Sequence, residues 1–190
     1  MKLIELGRII AVRCRKWWLV QKGSDTPTVV RKGEGETLRV AVASDHGGFE
    51  LKKTVTRYLE SQGIEYRDFG THSAESCDYP DIARALAEAV ADGTFDRGIV
   101  ICGTGIGVSI VANKVPGIRA ALCHDTFSAH ASREHNNANI LAMGERVIGP
   151  GLARDVVKVW LETGFEGGRH ARRVDKITSI EETFCNGKGL

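Results

Sequence analysis

Short apolar runs with the character of strands alternate with amphipathic helical stretches along most of this 190-residue chain, and this alternation restricts the fold more than any other feature. Successive β–loop–α units of this length build a parallel sheet with helices packed on both of its faces. The predicted strands are 38–43, 64–69, 98–102, 118–123 and 139–143. The predicted helices are 49–62, 79–90, 107–115, 125–135, 150–163 and 169–182. The sequence therefore predicts an α/β domain with a five-stranded parallel sheet.

A glycine-rich loop follows the third predicted strand. Cys102 ends this apolar strand, and the next five residues read Gly-Thr-Gly-Ile-Gly before a helix begins. Ligands of open parallel sheets bind where strands end and helices begin, and glycines there let the backbone approach a ligand closely. Helix N-terminal N–H groups beside the thiol favour anionic oxygens. The loop is therefore predicted to be part of an active site, although a cysteine that ends a buried strand is also common as a small core residue.

This loop does not fit three well-known loops of similar composition. A P-loop requires a lysine and then Ser or Thr after its last glycine, whereas Val108 and Ser109 follow Gly107 here. The dinucleotide pattern G-x-G-x-x-G requires a different glycine spacing. A cysteine phosphatase would need an arginine that closes the loop, and none occurs between Cys102 and Lys114. Nucleotide-binding and cysteine-phosphatase functions are therefore disfavoured.

Polar residues also follow two other predicted strands. Asp45 and His46 precede two glycines after the first strand, and His124 and Asp125 follow the fourth strand. The carboxyl ends of parallel strands are where a ligand is expected, so these groups are candidates for a binding site. An aspartate in such a position is also a common helix cap, so Asp45 alone is compatible with a structural role.

Two further polar clusters stand at predicted helix ends. The segment 132–137 ends the fourth helix, where the helix dipole favours a protonated histidine. Arg169 and Arg173 are four residues apart and face the same side of the last helix. This spacing suits a phosphate held by two guanidinium groups. The alternative is that these arginines form a basic helix end that is exposed to solvent and binds no ligand.

Neither a metal site nor a disulfide framework is predicted. His124, His130 and His135 resemble a metal-ligand set at first, but on a helix His130 points away from the other two, which stand about 16 Å apart along the axis. The five cysteines lie at 14, 77, 102, 123 and 185 and form no CxxC pair. This pattern favours reduced thiols and a cytoplasmic protein, and no cofactor is expected.

The first 37 residues differ from the rest of the chain. They contain eight lysines and arginines and four acidic residues, whereas the remainder is close to neutral, which argues against a nucleic-acid-binding surface there. No apolar run approaches the roughly 20 residues of a membrane span. We expect residues 1–37 to be a flexible basic extension or to lie upstream of the true start. Binding of this segment to nucleic acid or to a membrane surface is the open alternative.

Eight short motifs from residue 43 onward occur in an order that is typical of one protein family. They are 43–49 (ASDHGGF), 78–80 (DYP), 101–107 (ICGTGIG), 112–114 (ANK), 117–120 (GIRA), 132–136 (SREHN), 144–149 (GERVIG) and 167–170 (GGRH). Together they resemble the type B ribose-5-phosphate isomerases, a group that also contains galactose-6-phosphate isomerase subunits. The resemblance extends from about residue 38 to residue 182 and leaves the first 37 residues unexplained.

The resemblance implies a catalytic role for each residue of a small set. Cys102 resembles the base that moves a proton between C1 and C2 of the sugar phosphate. His135 resembles the residue that helps to open the sugar ring, with Asp45 as its assistant. Thr104 and the backbone N–H groups of Gly103, Gly105 and Gly107 would stabilise the enediolate oxygens. Isomerisation through an enediol needs such a base and such donors, because negative charge develops on oxygen.

The same resemblance implies how the rest of the substrate is bound. The implied phosphate clamp consists of His46, Arg146, Arg169 and Arg173. Tyr79 and Asn136 would line the site. A bound phosphate fixes the position of the reacting carbons. The implied fold is a Rossmann-like three-layer α/β/α arrangement, without metal or cofactor, in a homodimer or a tetramer with active sites at the subunit interface.

We therefore expect residues 38–183 to form a sugar-phosphate isomerase domain, followed by a short tail at 184–190. The expected reaction interconverts D-ribose 5-phosphate and D-ribulose 5-phosphate. One alternative is an isomerase of a hexose 6-phosphate, such as allose or galactose 6-phosphate, because pocket length decides between the two substrates. The other alternative is a regulator that binds a phosphosugar without converting it.

Overall fold

Five parallel strands form one sheet in the computed structural model, which describes residues 37–185. The strands are β1 (Arg39–Ser44), β2 (Glu65–Asp68), β3 (Arg97–Cys102), β4 (Ala120–Leu122) and β5 (Ile140–Gly144). Their order across the sheet is β2-β1-β3-β5-β4, and every neighbouring pair is parallel. The predicted five-stranded parallel sheet is confirmed. The expectations for residues 1–36 and 186–190 lie outside the described residues.

Within residues 37–185, six α-helices occur in the predicted order along the chain. They are α1 (Phe49–Ser61), α2 (Tyr79–Ala91), α3 (Ile106–Ala112), α4 (Thr126–Glu134), α5 (Pro150–Glu162) and α6 (Arg169–Cys185). Predicted and observed bounds differ by at most three residues. The largest differences are at the ends of α3 and α6. Helix α3 ends early because its last carbonyls accept turn-type bonds from Lys114 and Val115, and Pro116 cannot continue a helix.

The helices cover the sheet on both faces, which gives the expected three-layer α/β/α arrangement. Alternate side chains of a strand point to opposite faces, so each central strand contributes to two cores. Val40 and Val42 pack in the core formed with α1, α4 and α5. Ala41 and Ala43 pack in the core formed with α2 and α3. Both faces of the central strands are therefore buried, as in other parallel sheets.

The strand order reverses between β1 and β3, and this reversal locates the crevice in which ligands of such sheets bind. After β1 the chain moves outward to β2, and it then returns across β1 to form β3. The turn after β1 packs directly on the end of β3. Asp45 N–H donates to the carbonyl of Ile101 at 3.2 Å. A Cβ on Gly48 would lie 2.7 Å from the carbonyl carbon of Ile101, so only glycine fits there.

Helix α4 ends, and helix α6 begins, at the amino edge of the sheet, opposite the carboxyl edge at which the strands end. Helix α4 connects two parallel strands, so it begins near the carboxyl edge of the sheet and ends near the amino edge. Glu166 N–H donates to the carbonyl of Glu134 at 3.0 Å, so the start of α6 lies at the amino edge as well. Most of α6 is exposed, and His170 is its single buried residue. Within residues 37–185, no helix is long and apolar enough to cross a membrane.

Candidate active site

The glycine-rich loop holds the thiol of Cys102 against a backbone donor. Cys102 ends β3 and is 6% exposed, and Gly105 N–H donates to its Sγ at 3.0 Å. Gly105 has a φ of +78°, and a Cβ there would lie 2.5 Å from Leu122 Cδ1. Glycine at this position therefore allows the chain to turn its N–H toward the sulfur. The loop therefore places a backbone hydrogen-bond donor directly against the sulfur of Cys102.

The turn after β5 is hydrogen-bonded to the Cys102 loop. Glu145 N–H donates to the carbonyl of Cys102, and Arg146 N–H donates to the carbonyl of Gly103, each at 3.0 Å. The Glu145 carboxylate also accepts from Leu51 N–H in the first turn of α1, at 2.8 Å. A Cβ on Gly103 would lie 3.4 Å from Arg146 Cζ. The guanidinium of Arg146 therefore lies beside the loop, as expected for a residue that contacts a ligand there.

Asp45, in the turn after β1, lies next to the Cys102 loop. It is 7% exposed, and its Oδ1 has no hydrogen-bond partner among the described residues. A Cβ on Gly47 would lie 3.3 Å from this oxygen and 3.1 Å from the backbone nitrogen of Gly103. The carboxylate and the loop are therefore adjacent. Buried polar atoms in proteins are rarely left without a partner, so Asp45 Oδ1 is a suitable acceptor for a ligand hydroxyl.

His46 and Tyr79 complete this group of side chains. The Nδ1 atom of His46 accepts a hydrogen bond from Cys77 N–H at 3.3 Å. A Cβ on Gly107 would lie 2.8 Å from the ring of Tyr79, so the ring lies against the loop. We call the whole group the carboxyl-edge cluster. Its members are Asp45, His46, Tyr79, Cys102, Gly103, Thr104, Gly105, Gly107 and Arg146.

The remaining predicted site residues form a second group, the amino-edge cluster. Its predicted members are His135, Asn136, Arg169 and Arg173, and the structure adds Glu166 and His170. The rings of His135 and His170 stack with their centroids 4.3 Å apart and their planes 10° apart. Arg169 Nε donates to His170 Nε2 at 3.2 Å. The carbonyl of Asn136 accepts a hydrogen bond from Arg119 Nε at 3.1 Å.

The two clusters lie at opposite edges of the sheet within one chain. Gly98 pairs with Ile140 and Cys102 pairs with Gly144, so the four intervening steps of β3 separate the edges by about 13 Å. His135 follows α4 shortly before β5 begins and therefore lies at the level of Gly98 or beyond it. The structure does not bring His135, Arg169 or Arg173 to Cys102 of the same chain.

Burial and neighbouring charges lower the pKa of two groups in and near the amino-edge cluster. Burial, followed by the neighbouring His135, lowers the pKa of His170, and Arg169 and Arg173 act in the same direction. Arg133 supports the turn that carries His135, because its Nη1 donates to the carbonyl of Ala138 and to Asn137 Oδ1. Burial lowers the pKa of this arginine to about 8.

One group in the described range could offer three ligand atoms to a metal ion. These atoms belong to His135, Glu166 and His170 and lie within 4.8 Å of one another. Parallel stacked rings do not direct their nitrogens at a common point, so the observed arrangement does not fit an ion. Of the histidines in the rejected trio, His124 accepts from Gly144 N–H through Nε2. His130 Nδ1 lies 3.5 Å from Glu134 Oε2, an oxygen that also lies 3.0 Å from His135 Nε2.

Two residues near the site, Lys52 and Cys77, are important only because of how the chain packs, and the sequence motifs did not include them. Lys52 is buried and binds the start of the loop after β2, and Cys77 reaches His46 through its backbone. Lys52 could have been found from the sequence, because it is a charged residue at an inward-facing position of a predicted helix. No local signal existed for Cys77, because its contact is with a residue 31 positions away.

The fold and the carboxyl-edge cluster define a doubly wound α/β protein with a ligand site at the reversal of strand order. Comparisons with known proteins specify the class further. The sequence model described as Ribose/Galactose Isomerase matches residues 40–177. The chain belongs to this family of isomerases.

Three relatives illustrate the similarity. The solved structure of a ribose-5-phosphate isomerase B from Clostridium thermocellum is 57% identical with a TM-score of 0.76, and the match covers 77% of this chain and 99% of that one. The ribose-5-phosphate isomerase B of Escherichia coli is 50% identical over 144 residues, which are 76% of this chain and 97% of the relative. A D-erythrulose-4-phosphate isomerase of Pectobacterium atrosepticum is 50% identical over 145 residues, which are 76% of this chain and 95% of the relative.

Proposed function

We propose that this chain interconverts D-ribose 5-phosphate and D-ribulose 5-phosphate through an enediolate. The observation that carries the proposal is the buried Cys102 thiol, which receives a backbone hydrogen bond at 3.0 Å and lies in the same crevice as the unpartnered carboxylate oxygen of Asp45. A base and a set of preorganised donors are what such an isomerisation requires. Family membership and the names of the two type B relatives support the choice of a five-carbon substrate.

In the proposed reaction Cys102 acts as the single base. The thiolate removes the proton from C2 of the open-chain aldose, and the C2–H electron pair forms the C1–C2 double bond of an enediolate. Backbone N–H groups of Gly103 to Gly107, together with Thr104, stabilise the negative charge that develops on O1. Cys102 then returns the proton to C1 while the proton of the O2 hydroxyl is transferred to O1, which gives the ketose with a C2 carbonyl and a C1 hydroxyl.

Ring opening precedes this step and needs an acid and a base at different oxygens. We assign the acid at the ring oxygen to His135 and the base at the O1 hydroxyl to Asp45. The phosphate is held by His46, Arg146, Arg169 and Arg173, and Tyr79 and Asn136 line the pocket. Guanidinium groups suit this role because they bind phosphate oxygens through paired, charge-assisted hydrogen bonds.

These roles require two copies of the chain at each site. Cys102 and His135 lie at opposite edges of the sheet, so they can act together only if a second copy presents its amino-edge cluster to the carboxyl-edge cluster of the first. We infer a homodimer with two shared sites, or a tetramer built from such dimers. Three exposed apolar side chains at the carboxyl edge of the sheet support a partner surface that covers this edge. They are Ile106, Leu122 and the 80% exposed Phe127.

The four cysteines of the described range are free, which supports a reducing, cytoplasmic setting.

A four-carbon substrate is the second candidate. The D-erythrulose-4-phosphate isomerase relative and the Escherichia coli ribose-5-phosphate isomerase B are equally similar to this chain, at 50% identity. We expect kcat/KM to be highest for ribose 5-phosphate when it is compared with erythrulose 4-phosphate, allose 6-phosphate and galactose 6-phosphate. A higher value for any other sugar would reassign the substrate. Binding of ribose 5-phosphate without turnover would instead favour the non-catalytic regulator.

Removing either proposed phosphate arginine should weaken substrate binding more than it slows catalysis. We expect Arg169→Ala and Arg173→Ala each to raise KM for ribose 5-phosphate by about 10- to 100-fold, because each removes charge-assisted hydrogen bonds of about 1.5–3 kcal/mol. Steady-state kinetics would measure the effect. Arg172→Ala is the matched control, since it removes the same charge from the same helix at a position outside the predicted phosphate clamp. An equal loss in Arg172→Ala, or an equal loss on unphosphorylated ribose, would contradict the phosphate role.

A further inference from the structure

We propose that the segment 70–78, here called the positioning arm, fixes His46 as the neutral tautomer that carries its proton on Nε2. In this form the Nε2–H of His46 acts on the substrate as a hydrogen-bond donor to an anionic oxygen. The role of this donor in catalysis rests on the proposed function, because a sugar phosphate supplies the anionic oxygen. The tautomer itself follows from contacts within the chain.

The contact that selects the tautomer is a backbone hydrogen bond. Cys77 N–H lies 3.3 Å from His46 Nδ1. A backbone N–H can only donate, so Nδ1 must offer a lone pair, and the proton of a neutral imidazole is then on Nε2. The arm therefore favours the Nε2–H tautomer of the neutral ring over the Nδ1–H tautomer.

Lys52 anchors the other end of the positioning arm. Its side chain is on α1 and is nearly inaccessible, since the residue is only 2% exposed. Its Nζ donates to both carboxylate oxygens of Asp68 at 2.8 and 2.7 Å, to the carbonyl of Thr71 at 2.6 Å, and to the carbonyl of Gly70. Four acceptors around one ammonium group hold the start of the arm in a single position.

The anchored end of the arm lies across the end of β1, next to the turn that carries His46. Thr71 N–H donates to the carbonyl of Ser44 at 2.9 Å. A Cβ on Gly70 would lie 3.0 Å from the same carbonyl oxygen and 2.2 Å from Ile82 Cγ2, so the arm is also pressed against α2. The arm is thus attached to the site at both ends, by Lys52 at its start and by Cys77 near its end.

The presence of a lysine at position 52 supports a role for this side chain in positioning the arm. Its neighbours among the buried residues of α1 are Leu51, Val55 and Leu59. The side chain of its partner Asp68 is 26% exposed, and partly solvated ion pairs contribute little to stability, so the pair is weak evidence for a role in stability alone. What an apolar residue could not do is bind the carbonyls of Gly70 and Thr71.

The tautomer can be read directly in the wild-type protein. We would record long-range ¹H–¹⁵N spectra of the histidine rings at about pH 8, where an ordinary histidine is neutral, and assign His46 by the signals that His46→Gln loses. The expected spectrum shows an unprotonated Nδ1 and a protonated Nε2. A predominant Nδ1–H tautomer, or a mixture of the two, would overturn the proposal. This readout does not depend on turnover, so an inactive protein with the expected tautomer would reject the proposed function alone.

Variants of the arm then test its effect on the reaction. Cys77→Pro removes the donating N–H, and Cys77→Ser is the matched control that keeps it. We expect Cys77→Pro to raise KM for ribose 5-phosphate about tenfold, with kcat within about threefold of wild type, and to mix the His46 tautomers. The double variant Lys52→Met with Asp68→Asn releases the anchor without burying a lone charge, and it should have the same effects. Wild-type KM and an unchanged tautomer in both folded variants would refute the proposal, and if neither folds, the wild-type spectrum decides it.

Discussion

Replacing Cys102 by serine is expected to lower kcat on ribose 5-phosphate on the order of 10³-fold while leaving KM within a few-fold of wild type. Serine keeps the shape of the side chain and can still accept the Gly105 N–H bond, but its hydroxyl does not ionise near neutral pH. The same variant should stop the exchange of the C2 proton of the bound sugar with deuterated solvent. Steady-state kinetics and proton NMR of the substrate measure the two effects.

Cys123 provides the matched control for this experiment. It is a second buried thiol of the described chain, and its burial raises its pKa to about 11, so it is a poor base at neutral pH. We expect Cys123→Ala to retain turnover and C2 exchange. If Cys102→Ser kept more than about a tenth of wild-type kcat, a base other than Cys102 would have to carry the reaction.

Mixing two inactive variants is expected to restore activity. Cys102→Ala and His135→Ala should each lower kcat by on the order of 10²-fold or more as pure proteins. In a mixed dimer with shared sites, one site contains both substitutions and the other contains neither. Random exchange of subunits at equal concentration makes half of the dimers mixed, so about a quarter of the wild-type activity should return. The rate is measured after partial unfolding and refolding of the mixture.

The control for this recovery is a mixture in which both substitutions are on the same chain. The double variant Cys102→Ala/His135→Ala, refolded with an equal amount of Cys102→Ala, contains no site with both groups intact and should stay inactive. Failure of the first mixture to recover activity, with subunit exchange verified by mass spectrometry of tagged chains, would mean that the two residues do not share a site across the interface.

The sequence alone predicted the elements of the fold because their signals are local. Apolar residues at strand and helix periods, with glycine or proline at the ends, identify each element without reference to the others. The bounds were least accurate where an end depends on neighbours, as in α3, whose last turn bonds to Lys114 and Val115. The glycine spacing around Cys102 was also a local signal, and the loop that it marked lies at the reversal of strand order.

The composition of the site depended on tertiary structure. Strand direction and register decided that Cys102 and His135 lie at opposite edges of the sheet, although both belong to one predicted set. The bonds of Lys52 to the start of the positioning arm, and of Cys77 to His46, join segments that packing alone brings together. The sequence by itself determined which elements form and which loop carries the thiol, since periodicity and turn chemistry are properties of neighbouring residues. Only the tertiary structure decided which side chains meet, since contact depends on the path of the chain between them.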